Sequence, residues 1–214
     1  MRLARIILGL LLFALLWIPG AAKADTFTAD EQAALDRGEV VRRPLGPDSN
    51  SEGYLGGTSY AVIDAAPDVV WRAIQDISSF PNIFPKTLAS EVISDRGNRK
   101  IVKMTQGNAF LSISFYVVYR IEEETRKVSW EMIQDQPHDL DDTRGYMQVT
   151  PYGEGKSLAT YVNVINIGQG AVLALISDSI QNGLLRVPGN LRDWVQGPNG
   201  SRYRGDGTAT ATTQ

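Results

Sequence analysis

Between residues 88 and 167, apolar and polar side chains alternate with a period of two, the spacing of a strand that covers one face. Six segments carry the pattern: Leu88 to Ser94, Lys100 to Gln106, Phe110 to Glu122, Lys127 to Gln134, Thr143 to Pro151 and Ser157 to Ile167. Each is rich in β-branched or aromatic residues, and short polar or glycine-containing turns separate them, which predicts an antiparallel meander. In the third segment Leu111, Ile113, Phe115, Val117, Tyr119 and Ile121 share one face, and Ser112, Ser114, Tyr116, Val118 and Arg120 the other. In the fourth, Val128, Trp130 and Met132 oppose Ser129 and Glu131. A one-residue slip would exchange these faces. The period then changes to that of a helix. Leu173, Ile176, Ile180, Leu184, Val187, Leu191 and Trp194 recur at intervals of three and four, an apolar stripe that should face the sheet. Pro188 and Gly189 interrupt it, so a kink or a break into two helices is expected. Ala171, Ala174, Ser177 and Gly183 beside the stripe either leave room for a cavity or permit close helix–sheet packing.

Ahead of the meander, Tyr60, Val62 and Ile63 read as a strand ending at Asp64. Pro67 has its φ already set for a first helical turn, and Asp68 stands where the helix dipole favours a negative charge. Val70, Trp71, Ile74 and Ile77 continue at helical spacing until Pro81, which has no amide hydrogen and restricts Phe80 before it, so the helix stops near Ser78. Phe80 just before Pro81, with Ile83 and Phe84 between Pro81 and Pro85, predicts a second short helical turn. These three are read either as a cap on the core or as an apolar lip that touches a bilayer.

The run Asp64-Ala-Ala-Pro-Asp-Val-Val-Trp71, followed by Asp76-Ile-Ser-Ser-Phe-Pro81, resembles the opening of the START/polyketide-cyclase-like superfamily, also called SRPBCC or Bet v 1-like, which includes coenzyme Q-binding START-type proteins. Gly145-Tyr-Met-Gln-Val-Thr-Pro151 is similar to the glycine-aromatic strand that precedes the last hairpin of such proteins. The resemblance spans about Thr58 to Val195. It implies an α+β helix-grip fold, in which an antiparallel sheet curves around a long, kinked C-terminal helix and encloses an apolar cavity. Members include lipid and sterol carriers, ubiquinone-binding proteins, plant hormone receptors and aromatic polyketide cyclases, so the fold licenses only a hydrophobic-ligand site.

The amino terminus changes the expected compartment. Arg2 and Arg5 precede an uncharged apolar run from Ile6 to Ile18, and Ala22-Lys23-Ala24 places small residues where a signal peptidase reads. The run is shorter than the roughly 20 residues of a spanning helix, and Pro19-Gly20 ends it, so cleavage before Asp25 is favoured over an uncleaved anchor. A Sec-type signal peptide over 1–24 implies export, and the bacterial periplasm is the expected location. Residues 25–57 form an N-terminal arm: Thr28-Ala-Asp-Glu31 is a capping box opening a helix over Ala29 to Arg37, with Gly38 as its carboxy-cap. A brief strand over Glu39 to Arg43 and a loop from Pro44 to Gly57 follow. The START-like domain is assigned to 58–196, and a glycine- and threonine-rich disordered tail to 197–214.

Charge and residue usage narrow the function. Of 21 basic residues, removing Arg2, Arg5 and Lys23 leaves 18 against 24 acidic ones, a net charge of −6, which disfavours a nucleic-acid partner. No cysteine and one histidine exclude a disulfide framework and a multi-histidine zinc centre, so neither metal nor cofactor is expected. The Gly-x-Ser-x-Gly elbow, the His-Glu-x-x-His motif and a glycine-rich phosphate loop are all absent from the chain. His138 stands in the acidic turn Gln134 to Asp142 and has no nucleophile beside it in sequence.

Candidate site residues fall into three sets. Phe115, Val117, Trp130, Met132, Met147, Ile176 and Ile180 are core or cavity lining. Glu131, Arg144, Tyr161 and Asn163 lie on neighbouring strands as a polar clamp for a ligand's head, with exposed cross-strand pairing of Glu131 and Arg144 as the alternative. Phe80, Ile83 and Phe84 form the lip. The expected protein is a monomeric, non-catalytic carrier or sensor of a sterol, hopanoid, quinone or other lipid, with transient membrane contact. A cyclase or aromatase acting on a hydrophobic substrate, with Arg144, Tyr146, Tyr161 or Glu131 moving protons, and an interaction domain with a filled core are the alternatives.

Overall fold

The computed structural model describes residues 26–46, 53–108, 110–168 and 180–205. Eight strands form one antiparallel sheet: β1 (Val41–Pro44), β2 (Tyr54–Ile63), β3 (Thr87–Asp95), β4 (Arg99–Gly107), β5 (Ser112–Glu122), β6 (Lys127–Met132), β7 (Asp142–Pro151) and β8 (Ser157–Asn166). Their spatial order is β1-β2-β8-β7-β6-β5-β4-β3. The six predicted meander strands appear in that order, each within a few residues of its predicted bounds. The meander is closed at β8 by β2, which pairs with it over all ten residues of each strand.

Face assignment follows the alternation. Phe115, Val117, Tyr119 and Ile121 of β5 and Val128, Trp130 and Met132 of β6 are buried on the inner face, whereas Arg120, Glu122 and Glu131 are exposed. Leu111, the first residue of the predicted inward set, precedes β5 and is exposed. On the inner face lie α2 (Pro67–Gln75), a 3-10 turn (Ile77–Ser79) and the one-turn α3 (Phe80–Ile83). Proline opens α2, and Val70, Trp71 and Ile74 are buried in the main core.

The C-terminal helix is broken, as Pro188 foretells, but the break falls earlier. A helical turn at 180–184 ends, Arg186 caps a new helix, and α4 (Val187–Gln196) takes Pro188 into its first turn, where no amide hydrogen is required. Val187, Leu191 and Val195 are fully buried in the main core, and Leu184 and Trp194 are partly buried against it. Leu173 and Ile176 lie outside the described residues.

Two segments depart from the sequence reading. The expected loop from Pro44 to Gly57 contains the first four residues of β2, because Gly56 and Gly57 serve strand contact rather than a turn. At φ 128° and 140°, their missing side chains let the backbone pass so close that a Cβ would lie 2.0 Å from the Asn163 carbonyl oxygen and 2.3 Å from that of Arg43. The expected disordered tail begins as a 3-10 segment, Pro198–Tyr203, because Tyr203 is a core residue. Its hydroxyl donates to Asp76 and accepts from Trp194 Nε1, and Arg72 Nε donates to its carbonyl oxygen at 2.7 Å.

The arm packs on the outer face. The capping box of α1 (Ala29–Asp36) forms as predicted, and Leu35 joins Val41, Tyr60 and Leu158 in a second, smaller core. Arg43 ties the arm together, donating to both carboxylate oxygens of Glu31 at 2.8 Å and lying over the rings of Phe27 and Tyr60.

Candidate functional site

Five aromatic rings line the inner face where α3 meets the centre of the sheet. Phe84, just past the end of α3, reaches in: its ring centre is 4.8 Å from Phe80, 6.0 Å from Trp130 and 6.1 Å from Tyr161. Trp130 and Tyr161 stack at 5.7 Å, and Phe80 contacts Tyr119. Between these elements runs a seam lined by Ile74, Phe80, Ile83, Phe84, Tyr119, Val128 and Met147, whose spaces are too narrow for a water molecule. Among the described residues this part of the interior is packed by aromatic rings, with Phe84 against Trp130 and Tyr161, and Ala171, Ala174 and Ser177, read as either leaving room or permitting close packing, lie outside the described residues.

Register explains the stacking. Trp130 pairs with Gly145 on β7, which pairs with Asn163 on β8. A Cβ on Gly145 would lie 2.8 Å from Trp130 Cζ2 and 2.9 Å from Asn163 Oδ1, so the indole needs a bare backbone beneath it. Trp130 Nε1 donates to Asn163 Oδ1 at 2.9 Å, and Thr143 Oγ1 reaches the same oxygen at 3.4 Å. Asn163 is 4% exposed and Tyr161 1%. Burial pushes the phenols of Tyr119 and Tyr161 far above their ordinary range, and both stay neutral. Tyr119 donates to the Ile74 carbonyl oxygen, whereas the Tyr161 hydroxyl makes no hydrogen bond among the described residues.

The predicted lining residues Phe115, Val117, Trp130, Met132 and Met147 all come together in the main core. Ile180 is half-buried and Ile176 lies outside the described residues. The clamp divides. Tyr161 and Asn163 face inward, but Glu131 and Arg144 stand on the outer side, with side chains 63% and 55% exposed, since the parity that buries Trp130 and Met132 must expose Glu131. Although directly opposed in register, they take other partners. Glu131 pairs with Arg120 at 3.5 Å, and Arg144 pairs with Asp142 and lies over the Tyr54 ring. The lip is corrected too: Phe80 and Ile83 are 4% and 1% exposed and belong to the core with Phe84 packed against it, so the three form a cap.

Sequence reasoning missed Thr143, whose side of β7 follows from Gly145, and the inward reach of Phe84, for which no local signal exists. His138 is exposed, its Nδ1 2.7 Å from the Leu140 carbonyl oxygen, and the acidic turn around it is a solvated loop. Among the described residues, no three acidic or histidine side chains converge as metal ligands.

Residues 58–186, more than half of the chain, match the family described as polyketide cyclase / dehydrase and lipid transport. The chain belongs to that family. Similar solved structures agree on the fold. A STAR-related lipid transfer protein from Xanthomonas axonopodis is 14% identical, with a TM-score of 0.55 over 76% of this chain and 98% of that one. A START superfamily protein from Mycobacterium smegmatis is 10% identical, with a TM-score of 0.54 over 66% and 97%. The Zhui aromatase/cyclase from a Streptomyces species is 13% identical, with a TM-score of 0.50 over 66% and 96%. Among curated proteins, no sequence match was found. The helix-grip architecture read from Tyr60 to Pro85 is the one the chain adopts.

Proposed function

We propose that the chain is an exported, non-catalytic binding or transport protein for a hydrophobic ligand of the sterol, hopanoid, quinone or general lipid class, held against the inner face of the sheet. One observation carries the reading: every buried polar side chain is neutral. Serine, threonine, asparagine, tyrosine and tryptophan supply them all among the described residues, without a buried aspartate, glutamate, lysine, arginine or histidine. Acid–base catalysis on a cyclising substrate needs a group that changes protonation near the working pH. Glu131 and Arg144, the charged residues weighed for that role, face away from the interior, and the phenol of Tyr161 is held neutral by burial. Aromatic walls without a charge suit retention of an apolar molecule instead.

Export rests on the arrangement of residues 1–24, and periplasmic location follows from it as part of the proposal. Transient membrane contact belongs to Phe110 and Leu111 in the β4–β5 turn, which are 99% and 64% exposed, rather than to the buried Phe80 and Ile83. Among the described residues no helix is long and apolar enough to cross a membrane.

Organic extraction and mass spectrometry of protein beginning at Asp25, purified from membrane-containing cells, test the reading. A lipid recovered in stoichiometric amount is expected. Protein that carries none, and takes up none from a panel of sterols, hopanoids, quinones and phospholipids, refutes it. Conversion of an offered polyketide into a new product would replace it with the enzyme.

A further inference from the structure

Among the described residues the large exposed apolar side chains are Leu88, Val92 and Ile93 along β3, and Phe110 and Leu111 in the β4–β5 turn. The turn pair differs in how it is held. Asn108 Oδ1 accepts from the amides of Phe110 at 2.9 Å and Leu111 at 3.1 Å, and the Asn108 amide donates to the Leu111 carbonyl oxygen at 2.8 Å. An asparagine bonded into its own turn fixes the backbone locally, so the two side chains are presented in a set conformation. Phe110 is 99% exposed, and neither residue belongs to a core.

This turn stands at the end of the sheet where the interior comes to the surface. The Gly107 amide donates to the Lys86 carbonyl oxygen at 2.8 Å, which joins the turn to the segment leaving α3. Leu111 precedes Ile113 in the same alternation. Ile113, Phe84, Leu55 at the start of β2 and Ile167 just past the end of β8 are all partly buried against the main core, so half-buried apolar residues mark this end. The loop over 133–141 lies beside it: Ser114 N donates to Asp139 Oδ2 at 2.8 Å, and Asp139 N to the Ser114 carbonyl oxygen at 3.0 Å. Asp135, Asp139 and Asp141 of that loop are exposed, and it contains no lysine or arginine.

Shape and charge decide what fits such a turn. A stable protein interface takes about 800 Å2 from each side and needs a matching surface, and two side chains on one turn offer neither. A fluid bilayer takes in protruding apolar side chains without a complementary shape. Anionic lipid attracts lysine and arginine and repels carboxylates, and the chain from Asp25 carries 18 basic against 24 acidic residues. We propose that the β4–β5 turn docks the protein on a bilayer whose headgroups carry no net charge, with Phe110 and Leu111 entering the acyl boundary and the aspartates of the 133–141 loop disfavouring anionic membranes. This docking rests on the binding function proposed above and gives it a direction, since the end of the sheet that meets the bilayer is the one where Phe84 and Ile113 border the interior.

Sedimentation of protein beginning at Asp25 with sucrose-loaded vesicles tests the surface. Wild-type protein should partition onto phosphatidylcholine, and replacing about a third of that lipid by phosphatidylglycerol should weaken partition about threefold at low salt. Phe110→Ser should lower binding to phosphatidylcholine about tenfold, whereas Ile93→Ser, which removes an exposed apolar side chain from β3, should leave it unchanged. The indole of Phe110→Trp should be quenched by brominated acyl chains, and Asp135→Lys should raise binding to the anionic vesicles. No sedimentation of wild-type protein, stronger binding to anionic than to neutral vesicles, equal binding by Phe110→Ser and wild type, or an equal loss in Ile93→Ser each overturn the docking surface. A dimer in light scattering that Phe110→Ser dissociates assigns the turn to a second copy and overturns it likewise. Lipid recovered from the purified protein in any of these cases leaves the binding function standing. Vesicle docking by protein that neither carries nor takes up lipid overturns the binding function and keeps the docking surface.

Discussion

Replacing Gly145 by alanine tests whether Trp130 lies flat on β7 as the register requires. The added methyl would sit 2.2 Å from the Val162 carbonyl oxygen, 2.8 Å from Trp130 Cζ2 and 2.9 Å from Asn163 Oδ1. The first contact is with backbone of a paired strand, so β7 and β8 must part by about 1 Å or the indole must rise. Overpacking of this kind costs about 1–3 kcal/mol. Lifting the indole also breaks the bond from Trp130 Nε1 to Asn163 Oδ1, about 1 kcal/mol more. The sum, about 2–4 kcal/mol, divided by a urea dependence of about 2 kcal/mol/M, lowers the unfolding midpoint by about 1–2 M. Gly183→Ala is the control: it stands in the helical turn at 180–184, and its nearest neighbour to a new Cβ is Pro85 Cβ at an ordinary 3.9 Å. There the substitution should stabilise by about 0.5–1 kcal/mol through helix propensity. Urea titrations followed by circular dichroism decide the matter. A Gly145→Ala midpoint within about 0.3 M of wild type would refute the placement of Trp130 and with it the orientation of Asn163.

Four further outcomes are expected. Ending the chain at Gln196 removes Tyr203 from the core along with its bonds to Asp76 and Trp194, and should cost about 2–4 kcal/mol in chemical denaturation; an unchanged midpoint would restore the disordered tail. Acid should weaken the hold of the N-terminal arm. The Arg43 guanidinium bonded to Glu31, helped by the Thr28 amide, brings that carboxyl from 4.5 down to about 2, so its stabilisation is complete above pH 4.5 and lost as pH falls from there towards 2. Melting curves of Glu31→Gln should lack this part of the acid dependence, and an identical dependence in the variant would contradict the assignment. At the alkaline end, Tyr119 and Tyr161 have raised pKa values, so stability is whole below pH 10 and declines as pH rises beyond it. The two hydroxyls differ in worth. Tyr119→Phe loses the bond to Ile74 and should cost about 1 kcal/mol, whereas Tyr161→Phe should cost nothing, and equal losses would show that Tyr161 has a partner after all.

Legibility in the sequence followed the range of the interactions. Strand and helix periods are local, so β3 to β8 and the apolar stripe through Val187 and Leu191 could be read from spacing alone. Parity was equally local: once Trp130 and Met132 face inward, Glu131 cannot. The clamp failed because cross-strand register was taken without asking which face Arg144 shares with Glu131. It is the outer one, where Asp142 and Tyr54 stand closer. Gly56 and Gly57 misled in another way. A glycine pair signals a turn in one chain segment, but here it answers Asn163 and Arg43, which come from elsewhere in the sequence. Tyr203 escaped because one aromatic residue in a polar tail carries no period, and its burial depends on Asp76, Arg72 and Trp194 being folded around it.

Tension between a packed interior and a bound lipid resolves on which side chain can leave. Trp130 sits on β6, paired on both sides, and Tyr161 on β8 is likewise held between β2 and β7. Moving either disturbs a ladder. Phe84 follows a four-residue helix and is only partly buried; its amide donates to the Phe80 carbonyl oxygen at 2.8 Å and its carbonyl oxygen accepts from the Thr87 amide at 3.2 Å. Two residues on, Lys86 has φ 56°, a left-handed conformation that a side-chain-bearing residue adopts at some cost, and its carbonyl oxygen accepts from the Gly107 amide at 2.8 Å. A ligand that reaches Tyr161 and Asn163 must take the place of the Phe84 ring against Trp130. The apolar area it buries there replaces area that Phe84 already buries. The net gain from burial is therefore small.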